Sequence, residues 1–244
     1  ATDTVFIDKI NIFGNNVTKE NVIRNQLELD EGDPFNEVLF TRSINNIKGL
    51  NFFKDVKTSI EDDSTNETKI ITINVEEKPT GEIMAGAGFG TSGTSTTFGV
   101  KENNYLGSGT SLDAKLNLSE ESIKGRLAIS NPNFNNTNKS IYANIQSSET
   151  DRLTDFGYKT NKTGFTLGTE FEYFDDFFLG MGINSYYETI KTDTTASSQQ
   201  KKLKGNYFDN FLSLNFDYDK RNQKFQTTQG FRNYFSTDLP LISE

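Results

Sequence analysis

From Gly81 to about residue 237 the sequence alternates apolar and polar residues in run after run, and this period of two constrains the fold more than any other feature. Leu112, Ala114, Leu116 and Leu118 alternate with Asp113, Lys115 and Asn117. Ile141, Ala143 and Ile145 alternate with Tyr142, Asn144 and Gln146, and Leu212, Leu214 and Phe216 with Ser213, Asn215 and Asp217. Runs around Ile123, Phe165 and Leu179 behave likewise. Many approach the length of a tilted strand that crosses a bilayer, and exceed the usual soluble strand. We count about nine such strands. Tight or turn-like joints fall at residues 91–93, 104–109, 132–139, 174–176 and 220–229, and the longest polar loops are expected at 151–160 and 192–204.

Energetics chooses the face that meets lipid. Turning the polar face outward would place Lys115, Lys124 and Arg126 in hydrocarbon, at about 2–4 kcal/mol each near the midplane. The Leu/Ile/Phe face is therefore expected outside, with a charged, wet interior. Aromatics near strand ends, such as Phe174, Phe177, Phe178 and Tyr187, suit an interfacial girdle. The low mean hydropathy of −0.61 fits such strands, whose two faces average out. No apolar run is long enough for a spanning helix. Nine strands fall short of the even number with which such barrels normally close, so a truncated barrel, left as an open curved sheet, is expected over 79–244.

Composition removes most chemistry. The chain has no Cys, His or Trp, so disulfides, thiol nucleophiles, Ser-His dyads and the usual zinc ligands are absent. A formal net charge of −9 argues against a nucleic-acid partner. Neither an enzyme nor a cofactor is expected. No signal peptide is visible and the first residue is Ala, which reads as a mature protein or an excised piece.

Residues 1–78 read differently. Val5, Ile7, Ile10 and Ile12 make a short strand closed by a turn at Gly14 and Asn15. Thr18 is the expected N-cap of a helix carrying Val22, Ile23 and Leu27. Asn36 is expected to cap a second helix, where Phe40, Ile44 and Ile47 recur at helical spacing, ending near Leu50 and Asn51. Strands then follow at residues 53–60 and 68–77, the latter alternating Ile71, Ile73 and Val75 with polar neighbours. The order is strand, helix, helix, strand, strand, an α+β domain.

These residues resemble a POTRA domain, a polypeptide-transport-associated module. The likeness rests on Gly14 and Asn15 after Ile10-Asn11-Ile12-Phe13, on Gly32-Asp33-Pro34-Phe35, and on Phe52-Phe53. Asn51 stands where that pattern usually has Gly, a mild departure because Asn tolerates the left-handed backbone. With the strands that follow, the chain resembles outer-membrane protein assembly factors of the BamA type. Further matches are Asn104-Tyr105-Leu106-Gly107-Ser108-Gly109, Asn131-Pro132-Asn133-Phe134 and Thr227-Thr228-Gln229-Gly230. The resemblance implies a last POTRA domain in the periplasm and the first half of an outer-membrane barrel. It also implies unfolded outer-membrane clients, a lipid bilayer and accessory assembly lipoproteins as partners.

The stretch between the two parts carries the functional expectation. In Ile83, Ala85, Gly86, Ala87, Gly88, Phe89 and Gly90 the glycines all fall on one face. Glycine inside a strand costs backbone entropy and offers nothing to pack, so this strand should pair feebly. It is expected to be an edge that opens as a lateral gate and accepts a client strand. The POTRA edge that receives clients is expected along 68–77, at Ile71, Ile73 and Val75, or along its neighbouring strand. Rival readings are a POTRA-barrel secretion transporter, a passive porin or adhesin, and a soluble β-sandwich. A G-x-G-x-x-G match at residues 88–93 is followed by strand-like rather than helical sequence, which disfavours a dinucleotide site.

Overall fold

The structure, a computed structural model, describes residues 5–63, 68–90, 93–221 and 227–243. It divides into two compact units. One comprises Ala1–Gly81 together with Glu102–Thr110; the other comprises Glu82–Lys101 and Ser111–Glu244. The expected turn at residues 91–93 and the loop at 220–229 fall partly outside the described residues, as does most of the segment between the strands expected at 53–60 and 68–77.

The first unit runs β1 (Phe6–Phe13), α1 (Glu20–Arg24), α2 (Glu37–Gly49), β2 (Phe53–Asp63) and β3 (Thr68–Glu77). This is the order read from the sequence. A register shift between Ile7 and Lys9 lets Ile7 and Ile10 both enter the core although they are three residues apart. They pack with Ile23, Ile44, Ile47, Phe52, Phe53 and Val56. Asn36 caps α2 as expected, its carboxamide oxygen accepting from the N–H groups of Val38 and Leu39. Asn51 just past the helix has φ +60, so Asn serves there in place of Gly. Helix α1 is shorter than its apolar pattern suggests, and Thr18 is not its cap. Lys19 holds that position, and the Thr18 hydroxyl is engaged elsewhere.

Gly14 is required by its surroundings. Its φ is +89, and a Cβ there would lie 2.0 Å from the Val75 carbonyl oxygen. We expect Gly14→Ala to destabilise this unit by about 2 kcal/mol or more, since the left-handed backbone alone costs about 1–2 kcal/mol in a residue with a Cβ. A urea titration following this unit checks it.

The second sheet contains β4 (Gly81–Gly90), β5 (Gly93–Tyr105), β6 (Thr110–Ser119), β7 (Ser122–Asn131), β8 (Lys139–Arg152), β9 (Tyr158–Phe174), β10 (Phe177–Thr192), β11 (Gly205–Asp219) and β12 (Arg232–Ser243). Short helices α3 (Leu153–Phe156) and α4 (Ser198–Lys202) sit in the loops after β8 and β10. The nine strands lie in chain order, from β4 at one edge to β12 at the other, an open sheet as expected of a truncated barrel. Register aligns the apolar residues into a rung: Leu112, Ile129, Ala143, Leu167, Ile183, Leu212 and Leu239 are successive partners across seven strands. The opposite face aligns Lys115, Arg126, Gln146, Gly164, Tyr186 and Asp209. Phe174 stacks on Phe177 at 4.5 Å, and Phe177, Phe216 and Phe235 continue the aromatic row.

Of the two long loops expected, that at 151–160 is shorter than its polar sequence suggests, and that at 192–204 keeps its length but contains a helix. Over residues 151–160 polar side chains occupy both faces, so the alternation that marks a strand is missing. The structure nevertheless extends β8 and β9 into this stretch and ties Lys159 to Glu149 and Asp151 across the pair at 2.7 and 3.1 Å. Within 192–204, Ser197 and Gln200 form a reciprocal capping box that starts α4.

Candidate functional site

The edges of the two sheets are the groups able to take up another strand. An edge carries unpaired N–H and C=O groups, a ready template for pairing. In the small sheet the order is β1-β3-β2. The expected client edge at Ile71, Ile73 and Val75 is therefore wrong. β3 pairs on both sides, and these three side chains are 2%, 0% and 6% exposed, in the core. Apolar alternation reports burial of one face; it does not say whether a strand is central or terminal.

The POTRA-motif residues determine which edge is open. The Gly32-Asp33-Pro34-Phe35 segment lies along the outer side of β1. Ile7 N–H donates to the Asp33 carbonyl, Gly32 N–H to the Ile7 carbonyl, and Phe35 N–H to the Val5 carbonyl, all within 2.9 Å. Farther along, Ile10 N–H donates to the Glu31 carboxylate and the Arg24 guanidinium donates to the Ile10 carbonyl. The outer side of β1 is thus occupied. β2 pairs only with β3 among the described residues, and its Lys54, Asp55, Lys57 and Glu61 give it the charged character of a managed edge. Phe52 and Phe53 meet edge-to-face beneath it in the core. Asn15 holds its turn by donating to the Thr18 carbonyl.

In the large sheet β4 is an edge, bonded among the described residues only to β5. Ile83 and Phe89 on one face are 86% and 89% exposed. On the other face Met84 reaches over Gly99, but a Cβ at Gly86 or Gly90 would meet nothing within 4 Å, and one at Gly88 would approach only the Ser95 hydroxyl. None of the three has a positive φ. Among the described residues neither close packing nor backbone conformation requires glycine there, so the observable consequence of the three residues is a strand with little side-chain packing. Ala85 and Ala87 add small side chains to the other face.

A constellation that sequence reasoning missed ties the 102–110 turn to the first unit. The Glu77 carboxylate accepts from the N–H groups of Val17 and Thr18 at 2.9 and 2.7 Å. Burial pushes the Glu77 pKa up, but hydrogen bonds from the Thr18 hydroxyl and the backbone at Val17 and Thr18 outweigh it, and the net shift is downward. Asn104, itself buried, donates to the Thr18 hydroxyl oxygen at 2.8 Å and accepts from Gly109 N–H. Lys19 N–H donates to the Gly107 carbonyl. The one signal in the sequence is the Asn-Tyr-Leu-Gly-Ser-Gly turn, which marks a turn but not its partner.

An α+β domain leading into an open antiparallel sheet with apolar rungs on one face defines a POTRA-and-barrel membrane protein. The Omp85 superfamily domain matches residues 104–242, more than half of the chain, and the POTRA family described as surface antigen variable number repeat matches residues 5–78. The chain belongs to the Omp85 superfamily. Together these domains make it an outer-membrane protein with a periplasmic POTRA domain. It is 26% identical over 208 residues to the outer membrane protein assembly factor BamA of Buchnera aphidicola, covering 83% of this chain and 32% of that protein. Among solved structures, BamA from Haemophilus ducreyi lacking POTRA domains 1–3 matches with a TM-score of 0.76 at 22% identity, over 97% of this chain and 48% of that one. CdiB from Escherichia coli matches with a TM-score of 0.62 at 12% identity, over 98% of this chain and 46% of that one. The chain thus spans between about a third and a half of these relatives.

Proposed function

We propose that this chain is part of a non-enzymatic factor that assembles β-barrel proteins into the outer membrane, with β4 as the lateral gate and the POTRA domain receiving unfolded clients. The observation that carries the reading is the glycine face of β4, which offers little side-chain packing among the described residues. A client strand pairing with β4 gains main-chain hydrogen bonds that hydrocarbon cannot offer. No nucleotide enters the scheme, because folding of the client supplies the driving force. The same logic assigns client reception in the POTRA domain to β2, since β1 is covered and β3 is central. The assembly factors named among its relatives support this role. Accessory lipoproteins are the expected partners of such a factor.

The test is insertion against secretion. The full-length protein in liposomes should speed the folding of an added unfolded barrel protein into the bilayer, and a client peptide should shift the backbone signals of β2 rather than those of β1. Passage of a polypeptide into the liposome interior without client insertion would point to a secretion transporter instead. Ion conductance with neither activity would point to a passive pore.

A further inference from the structure

The turn between β6 and β7 consists of Glu120 and Glu121 alone, and its chemistry is not that of an ordinary hairpin. Tight hairpin turns favour Gly, Asn or Asp, which accept a left-handed backbone. Here two like charges sit side by side, and neither residue has a positive φ. Their side chains are engaged instead, in opposite directions along the sheet. The Glu120 carboxylate lies over the start of β5: it accepts from Thr94 N–H at 3.2 Å, and a Cβ at Gly93 would stand 2.5–2.7 Å from its atoms. Along the same seam the Thr97 hydroxyl donates to the Asn117 carboxamide oxygen. At the end of β8 the Glu121 carboxylate accepts from the Arg152 guanidinium at 2.6 Å, and the Glu121 carbonyl accepts from Asp151 N–H at 2.7 Å. The Ser122 hydroxyl adds a bond to the Glu149 carbonyl. Two adjacent acids thus fasten four strands, β5 to β8, at one end. The chain enters this sheet through β4 from the periplasmic domain, so this end is the extracellular one. Among the described residues neither glutamate reaches β4, which lies outside the fastening.

We propose that Glu120 and Glu121 are positioning residues for strand addition, pinning β5 to β8 at the extracellular end so that opening of the wall is confined to the free edge of β4. This rests on the reading of β4 as the gate. An incoming strand pairs in one register only if the edge it meets keeps its shape, and glycine-rich strands specify register weakly. β4 packs few side chains, so it takes its shape from β5. The weak point is then the seam between β5 and β6, where peeling of the β4–β5 hairpin would expose β6 as a competing edge. Glu120 closes that seam, and Glu121 holds the turn that carries Glu120 against β8. Were the two acids mere turn stabilisers, their loss would weaken the barrel without changing which strand a client meets.

The experiment uses the full-length protein in liposomes. Backbone hydrogen exchange is read by mass spectrometry, and stalled client strands are trapped through a single cysteine, Ala87→Cys on β4 or Leu116→Cys on β6. The parent should trap clients through Ala87→Cys and not through Leu116→Cys. Glu120→Ala should speed exchange over residues 94–97 about tenfold, slow client insertion and bring trapping to Leu116→Cys. Glu120→Gln keeps an oxygen for Thr94 N–H and should stay near the parent in all three readouts. Glu121→Arg should speed exchange over residues 150–152, and adding Arg152→Glu should reverse that, a recovery that a badly folded variant would not show. Unchanged exchange over 94–97 in Glu120→Ala overturns the pinning. Faster exchange with normal insertion, and trapping at β4 alone, overturns the positioning role. Failure of the parent to trap clients through Ala87→Cys overturns the gate reading and the positioning role with it, while the exchange result still decides the pinning, because it needs no client.

Discussion

Leu167→Arg should cost about 2–4 kcal/mol of membrane-folded stability, whereas Thr166→Arg, one residue away, should cost well under half of that. Leu167 lies inside the apolar rung, with Ala143 and Ile183 as its direct partners. An arginine there must desolvate or bend toward the interface. Thr166 faces the other way, between Asn144 and Asn184, where the wall already carries Lys115, Arg126 and Glu170. Charge on that face meets water. Folding titrations into lipid vesicles read both values. Equal costs would mean that lipid does not distinguish the two faces, and the reverse order would mean that the apolar rungs line the interior.

The rung is legible in the residue pattern alone, and the reason is physical. Period two follows from strand geometry, and the cost of charge in hydrocarbon chooses the face. The helices of the POTRA domain are legible where capping chemistry marks them, as at Asn36 and Asn51. What the pattern does not carry is information that lies between elements. The β3 strand is last in its domain yet inserts between β1 and β2 through a parallel pairing, and no local pattern announces that. The charges of β2 are the better indicator of an edge. Thr18 resembles a helix cap because hydroxyls favour that place, but its partner is a residue 86 positions away. The ends of β8 and β9 that flank α3 escape because polar residues line both of their faces and alternation vanishes. There the strands are held by backbone pairing and the Lys159 ion pairs.

The strand β4 is also visible in the sequence, as a glycine face at the joint of two architectures. The structure adds that, among the described residues, those glycines fill no tight space and adopt no left-handed backbone. That makes tight packing a poor explanation for them and leaves weak pairing as the simplest one. Adding side chains at Gly86 and Gly90 should therefore stiffen β4 without a clash, by about 0.5–1 kcal/mol per site in backbone entropy.

The most direct measurement joins β4 to a client. With no native cysteine in the chain, a cysteine placed at Ala85 or Ala87 is a unique handle in this segment. In the full-length protein it should cross-link to a cysteine on a stalled client strand. A disulfide from the same position to the strand that closes the barrel should then stop client insertion, and reduction should restore it to the starting rate. If the locked protein inserts clients at the normal rate, β4 is not the gate and strand addition at this edge is not how the protein works.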